Sequence, residues 1–161
     1  MSLVSRLKKA RQLFQSAYEH QRRGDLEAAI ELYLKSIAEY PTAEAHTHLG
    51  WTYSFQGRLD EAIAECKKAI MLDPGFGNPY HDIGAYLISQ GKYQEDIPWV
   101  ERALTSRRYE AYHYPWFNLG RAYVAMELYR RARECFEKAL EIEPGYSAAA
   151  EELRRIKRLL Q

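Results

Sequence analysis

The side chains most able to hold a metal ion or to transfer protons are five histidines and many carboxylates. His46 and His48 are two positions apart, which on a helix points their rings about 200° away from each other. Neither has a histidine or an acid four positions further along to complete a metal-binding pair. We expect His48 to face Asp82 across adjacent helices as a hydrogen-bonded pair, and His20 and His113 to be surface or packing residues. The sequence therefore predicts no metal site.

Catalytic motifs are also missing from the sequence. It contains no nucleophile elbow, phosphate-binding loop or dinucleotide fingerprint. The G-x-G in PGFGNP, residues 74–79, has no preceding strand and no third glycine. Glu61, Glu65 and Asp73 fall at helical positions where carboxylates are usually solvated. We therefore predict a protein that is not an enzyme, with no catalytic residues and no cofactor.

Length and charge set further bounds. The 161 residues are enough for one packed domain, predicted to span residues 1–161. Lys and Arg number 23 and Asp and Glu 22, so the formal charge of +1 favours neither nucleic acid nor an anionic membrane as a partner. Cys66 and Cys135 are far apart and are predicted to be buried free thiols, which fits a reducing compartment. Because no apolar run approaches the ~18 residues of a membrane span, we expect a soluble, cytoplasmic protein.

A repeat must position whatever residues form a site. Glycines recur at intervals of 33 and 34 residues, each opening a segment such as GDLEAAI or GRLDEAI, and prolines close three of the segments. A second apolar pattern with helical spacing recurs in AHTHLGWTYSFQG, PYHDIGAYLISQG and PWFNLGRAYVAME, with a small residue in its middle at Gly50, Gly84 and Gly120. Small residues in both patterns let two helices pack closely. Each unit is therefore predicted to be an antiparallel helical hairpin that turns at Gly24, Gly57 or Gly91.

The pattern [W/Y]-x-x-[L/I]-G-x-x-Y, followed by G-x-x-x-x-A and a closing proline, resembles the tetratricopeptide repeat. The resemblance implies an all-α solenoid, a right-handed superhelix of four hairpins, with repeats at about residues 10–42, 43–76, 77–112 and 113–146. The segment SAAAEELRRIKRLLQ is predicted to form a C-terminal capping helix over residues 147–160, with Ser147 as its N-cap.

The third repeat is irregular. Asp96 and Pro98 stand where the second repeat has Ala62 and Ala64, and the connection SRRYEAYHYP is longer than its counterparts. Proline lacks an amide hydrogen and is tolerated in the first turn of a helix. We therefore predict that this helix begins late, with Asp96 near its N-cap and residues 97–107 as its body. The change is expected to bend the scaffold and reshape the groove without contacting a ligand.

In tetratricopeptide repeats the first helix of each hairpin lines a concave groove, so the resemblance also nominates partner-binding residues. Trp51 and Phe55 are four positions apart and share a helical face, with Tyr18 alongside. This set either anchors an apolar side chain of a bound peptide or, for Trp51, fills the seam between hairpins. The full set on this face is Phe14, Gln15, Tyr18, His48, Trp51, Phe55, His81, Asp82, Ala85, Tyr114, Phe117, Asn118 and Arg121.

Two further features of this face bear on the partner. Gln15, His48, Asp82 and Asn118 occupy matching places in successive repeats and are predicted to form a polar ladder that holds a peptide backbone. Chaperone-binding members of the family clamp an acidic tail with Lys, Asn and Arg, but this chain has at those places Phe14, Tyr18, His48, Asn78 and Asp82. The clamp is absent, and an acidic tail would meet Asp82.

The sequence thus predicts a non-catalytic interaction module that binds a peptide segment or partner protein in its concave groove. Two alternatives stay open. One is a structural scaffold that assembles with copies of itself into a homo-oligomer. The other is a regulatory module of a larger enzyme assembly.

Overall fold

The computed structural model describes all residues 1–161 and contains nine α-helices and no strand. The helices are α1 (Leu3–Arg22), α2 (Leu26–Glu39), α3 (Ala43–Phe55), α4 (Leu59–Leu72), α5 (Asn78–Ser89), α6 (Tyr93–Leu104), α7 (His113–Ala125), α8 (Tyr129–Ile142) and α9 (Ser147–Leu159). The first eight form four antiparallel hairpins, and α9 packs against α8. The predicted all-α solenoid with a C-terminal capping helix is confirmed.

The hairpins stack with their first helices on the inside of the solenoid. The second helix of each hairpin packs against the first helix of the next, and the first helices α1, α3, α5 and α7 contact one another in succession. The second helices of successive hairpins make no comparable contacts. The stack therefore curves with α1, α3, α5 and α7 along its concave side.

Close packing within the hairpins depends on glycine. A Cβ atom on Gly84 would overlap the side chain of Val100, and one on Gly120 would lie within 3 Å of the ring of Phe136. These contacts join the two helices of the third and fourth hairpins. The small residues at a fixed place in the repeat are thus required by the distance between the helices.

The turns inside the hairpins need left-handed backbone. Gly24, Gly57 and Gly91 have φ between 74° and 85°, as the predicted turn requires. In the fourth hairpin the same place is taken by Glu127, whose φ is 60°. A residue with a Cβ is strained in this conformation, so Glu127 stores strain that the other three turns avoid.

The predicted late start of α6 is wrong. The helix begins at Tyr93 after the N-cap Lys92, and Pro98 lies inside it. Pro98 and Gln94 are both exposed, so water can hydrate the Gln94 carbonyl that loses its helical hydrogen bond. The proline therefore faces solvent while Val100 and Ala103 hold the other face of the helix in the core.

Asp96 is consequently not a helix cap. Its side chain is fully buried, and neither carboxylate oxygen has a hydrogen-bond partner. Burial raises the pKa of Asp96 to about 7, against the opposing influence of Arg121 on α7. The sequence suggested a local capping partner, and the structure instead contains a buried acid without one.

Two smaller expectations are also corrected. Ser147 is the first helical residue of α9, and Tyr146 is its N-cap. Glu65 is buried, not solvated, and accepts hydrogen bonds from Nδ1 of His46 at 2.6 Å and Nζ of Lys68 at 2.8 Å. Burial alone would raise the pKa of Glu65, but these two hydrogen bonds lower it. The hydrogen bond between His46 and Glu65 connects α3 to α4.

Candidate functional site

An aromatic cluster formed by Phe14, Tyr18, His48, Trp51 and Phe55 lies on α1 and α3. Measured between ring centres, His48 lies 5.0 Å from Phe14, 5.8 Å from Tyr18 and 6.2 Å from Trp51. The ring centres of Trp51 and Phe55 are 5.1 Å apart. Trp51 is 41% exposed and Phe55 is 56% exposed. Trp51 is therefore a surface ring and does not fill the seam between hairpins.

His48 supports the cluster from beneath. Its Nδ1 donates a hydrogen bond to the backbone oxygen of Glu44 at 3.0 Å, which leaves Nε2 as an acceptor. Burial lowers the pKa of His48, so the ring is neutral at neutral pH. The predicted hydrogen bond between His48 and Asp82 does not form. The neutral ring donates its one N–H, on Nδ1, to Glu44, so neither Nε2 nor the Asp82 carboxylate has a hydrogen to donate to the other.

A pocket of about 430 Å³ opens next to the aromatic cluster, between α3, α5, α7 and the connection that precedes α7. Trp51 and His48 belong to both features. The pocket, called the groove pocket below, is lined by Thr47, His48, Trp51, Asn78, His81, Asp82, Tyr109, Ala111 and Tyr114. Asp82 is the one lining residue with an acidic side chain, and none of the others is lysine or arginine.

The connection of residues 105–112 forms one wall of the groove pocket. Arg108 exchanges backbone hydrogen bonds of 3.1 Å with Gly75 and Gly77. Its guanidinium forms ion pairs with Asp73 and, at 2.7 Å, with Glu44 at the start of α3. The connection is thereby tied to the loop between α4 and α5 and to the start of α3, and this holds the buried Tyr109 in the wall.

The contribution of this connection to the groove pocket is not evident from the sequence. Tyr109 and Ala111 line the groove pocket, and neither is among the residues predicted for the groove. The only signal was the extra length of SRRYEAYHYP together with its tyrosines. Thr47 also lines the pocket, although most of its surface is buried, and it is not among the residues predicted for the groove.

The predicted polar ladder is interrupted. Asn118 is buried and donates from Nδ2 to Nε2 of His81 at 2.8 Å, so one of its amide hydrogens is already used. Gln15 lines a separate hollow between α1 and α2. Only His48 and Asp82 of the four ladder residues line the groove pocket.

The remaining predicted residues divide between the pocket and the packing of the last hairpin. Tyr114 lines the pocket, and its ring stacks 6.1 Å from His81. Phe117 packs against Phe136 and Tyr146, at 5.6 Å and 5.1 Å, and Arg121 lies exposed above its ring. Phe117 and Arg121 are thus outside the groove pocket.

Other kinds of site find little support among the described residues. No group of three or more His, Cys, Asp or Glu side chains is arranged to hold a metal ion. Cys66 and Cys135 are buried free thiols, as predicted, and burial raises the pKa of both, that of Cys135 to about 12. A thiol of this kind is a poor nucleophile at neutral pH. None of the nine helices is both long enough and apolar enough to cross a membrane.

Known proteins resemble this chain in sequence and in fold. A protein from Mycosarcoma maydis, small glutamine-rich tetratricopeptide repeat-containing protein 2, is 36% identical over 92 residues. The match covers 56% of this chain but only 26% of that protein. The structure of Pseudomonas aeruginosa PilF superposes with a TM-score of 0.88 at 24% identity, over 94% of this chain and 69% of that one.

A third comparison involves a bound peptide. The first tetratricopeptide repeat domain of Spaghetti (RPAP3), solved with the HSP90 peptide SRMEEVD, has a TM-score of 0.69 and 26% identity. The likeness covers 73% of this chain and 92% of that domain.

The sequence itself matches the tetratricopeptide repeat at residues 43–76 and 113–146, and a second form of the same repeat at 80–108. These matches cover more than half of the chain, and the four stacked hairpins have the corresponding fold. The chain therefore belongs to the tetratricopeptide repeat family, whose domains are protein-interaction modules.

Proposed function

We propose that this chain is a non-catalytic module that binds an extended segment of a partner protein along its concave face. The observation that carries the proposal is the position of Trp51. Its exposed ring belongs both to the aromatic cluster and to the groove pocket. An apolar anchor and a polar recess thus lie side by side on the inner helices.

The aromatic cluster is suited to bind an apolar side chain. Trp51 and Phe55 are exposed and pack against each other, and His48, which contacts Phe14 on α1, packs against Trp51 and restricts its movement. Rings that are already held in place lose little conformational entropy when a partner covers them. Exposed aromatic side chains with this support are common hot spots of protein interfaces.

The groove pocket offers partners for the polar groups of the same segment. Nε2 of His48 is an acceptor without a bonded donor, and Asn78 and Asp82 line the recess. An extended segment must satisfy its amide hydrogens and carbonyl oxygens when it leaves water.

The test begins with a peptide library displayed on phage and selected on the immobilised chain. The affinity of each selected peptide is then measured by fluorescence polarisation. Trp51→Ala and Phe55→Ala are each expected to weaken binding roughly tenfold or more, because each removes a large part of the apolar anchor. Met71→Ala is the matched control, since Met71 is 85% exposed on the outer helix α4. Equal affinities in all four proteins would contradict the proposal.

The peptide SRMEEVD, which the Spaghetti domain holds, is a useful comparison ligand. In the groove pocket the acidic end of this peptide would meet the carboxylate of Asp82. The pocket lining has no lysine or arginine to bind the carboxylates of the peptide. We expect no saturable binding of SRMEEVD to this chain below millimolar concentration by fluorescence polarisation. Binding in the micromolar range would mean that another surface recognises acidic tails.

Self-assembly is a second candidate, favoured by the first turn of α1. Arg6 and Lys9 reach Glu39 at the end of α2, so the residues before them project beyond the first hairpin. Leu3 and Val4 lie there with more than half of their surfaces exposed. If they mediate assembly, light scattering will show a mass that rises with concentration and returns to that of a monomer in Val4→Lys. A constant monomer mass would count against this candidate.

A further inference from the structure

The charge of the groove pocket restricts what can enter it. Asp82 on α5 is 23% exposed and forms no ion pair with a lysine or an arginine. The nitrogen atom paired with its carboxylate is Nδ1 of the neighbouring His81, 3.4 Å from Oδ1. The carboxylate therefore faces the recess without a full positive charge to balance it.

The walls around Asp82 are aromatic. Trp51 on α3, Tyr109 in the connection and Tyr114 on α7 line the recess, together with the imidazoles of His48 and His81. Aromatic faces carry partial negative charge and attract cations at distances below about 6 Å. A recess with several rings and one carboxylate is complementary to a positively charged group.

The arginines near the groove pocket are occupied or lie outside it. Arg108 is paired with Glu44 and Asp73. Arg121 lies over the ring of Phe117, and neither arginine lines the recess. His48 is neutral at neutral pH because burial lowers its pKa. A cation in the recess would therefore meet Asp82 without an arginine or lysine in the lining to repel it.

The negative charge of Asp82 influences the pKa of nearby groups. Burial, and secondly the negative charge of Asp82, raise the pKa of Tyr86 and Tyr109 and of the Cys66 thiol. These groups lie on α5, in the connection and on α4. Of these groups only Tyr109 lines the groove pocket, whereas Tyr86 and Cys66 are buried in the core beneath it, so the negative charge of Asp82 acts on one wall of the pocket.

We propose that the groove pocket binds a basic side chain, arginine or lysine, of the partner segment, with Asp82 as its ion-pair partner and the rings of Trp51, Tyr109 and Tyr114 as its walls. This inference rests on the proposed function. Because Trp51 also belongs to the aromatic cluster, the recognised segment carries an apolar residue close in sequence to the basic one.

The experiment compares selections from one displayed peptide library on three proteins: the original chain, Asp82→Asn and Asp25→Asn. Asp25 is a matched control because it lies at the turn before α2 and its Oδ2 is also 3.4 Å from a histidine Nδ1, that of His20. We expect arginine or lysine to be enriched at one position with the original chain and with Asp25→Asn. Asp82→Asn should lose that enrichment and keep the preference for an apolar residue.

Affinity measurements complete the test. A selected peptide should bind Asp82→Asn roughly tenfold more weakly than the original chain, because a hydrogen-bonded ion pair is lost. The same peptide with citrulline or norleucine in place of its basic residue should bind both proteins equally. Circular dichroism verifies that Asp82→Asn keeps its helices.

The outcomes separate this inference from the proposed function. Peptides that lack a basic residue, that carry an acidic one at this position, or that bind Asp82→Asn unchanged would overturn the basic pocket and leave groove binding in place. A selection that yields no peptide for the original chain would overturn both. Loss of binding in Asp25→Asn as well would mean that Asp82 does not act locally.

Discussion

Asp96 is the residue at which the chain departs most sharply from its own repeat. Ala29, Ala62 and Ala132 occupy the equivalent place in the other hairpins, and all three are fully buried. The carboxyl of Asp96 is buried in the same way, without a hydrogen-bond partner. An ionised carboxylate in such surroundings is costly, which is why its pKa rises to about 7.

This raised pKa predicts an unusual dependence of stability on pH. Between the unfolded value of 3.8 and about 7, the folded chain holds the Asp96 proton more tightly than the unfolded chain does. The stabilising contribution is complete below the lower value and is lost as the pH rises through about 7. In urea unfolding at pH 5 and pH 8, Asp96→Ala should reduce the fall in stability between the two pH values by roughly 2–3 kcal/mol. An unchanged fall in Asp96→Ala would show that Asp96 is ionised in the folded chain at both pH values.

Glu127 offers a second test at the scale of one residue. Its left-handed backbone should be relieved by glycine, so Glu127→Gly is expected to raise the free energy of unfolding by roughly 0.5–1 kcal/mol. The reverse change, Gly57→Glu, should lower it by a similar amount, because no atom lies within 4 Å of the added Cβ and only the backbone is strained. Thermal unfolding measures both. Stabilisation by both changes, or by neither, would contradict this explanation.

At the scale of the elements, the repeat spacing predicts the helices well and their irregularities poorly. The small residues Gly84 and Gly120 mark the close contacts because a Cβ at either place would meet the partner helix. The start of α6 could not be predicted, since tolerance of Pro98 depends on which side of the helix faces water. The packing of residues 105–112 depends on ion pairs between Arg108 and residues far away in the sequence.

The attachment of this connection can be tested through Arg108. Exposed ion pairs contribute little to global stability, but they can change how often a surface segment opens locally. We expect Arg108→Gln to increase hydrogen exchange in residues 105–112 while leaving the urea midpoint nearly unchanged. Arg107→Gln is the control, since the adjacent Arg107 is exposed and forms no ion pair. Equal exchange in both variants would mean that backbone contacts alone hold the connection.

At the scale of the whole molecule, the candidate site is a product of stacking. The aromatic cluster joins α1 and α3, and the groove pocket joins α3, α5 and α7. The repeat predicts which face of each helix looks into the groove, and that part of the site follows from the sequence. It does not predict which neighbours bond to each other, so the capture of Asn118 by His81 and the wall formed by Tyr109 appear only in three dimensions.

Binding of a partner segment on the concave side can be located by amide chemical shifts. A peptide selected on the chain is titrated into the isotope-labelled protein, and the shifts are mapped along the sequence. If the segment binds in the groove, the amide shifts of α3, α5 and residues 105–112 will change together, with little change in α4 and α8. Shifts concentrated in the outer helices α2, α4 and α8, or in α9, would contradict binding in the groove.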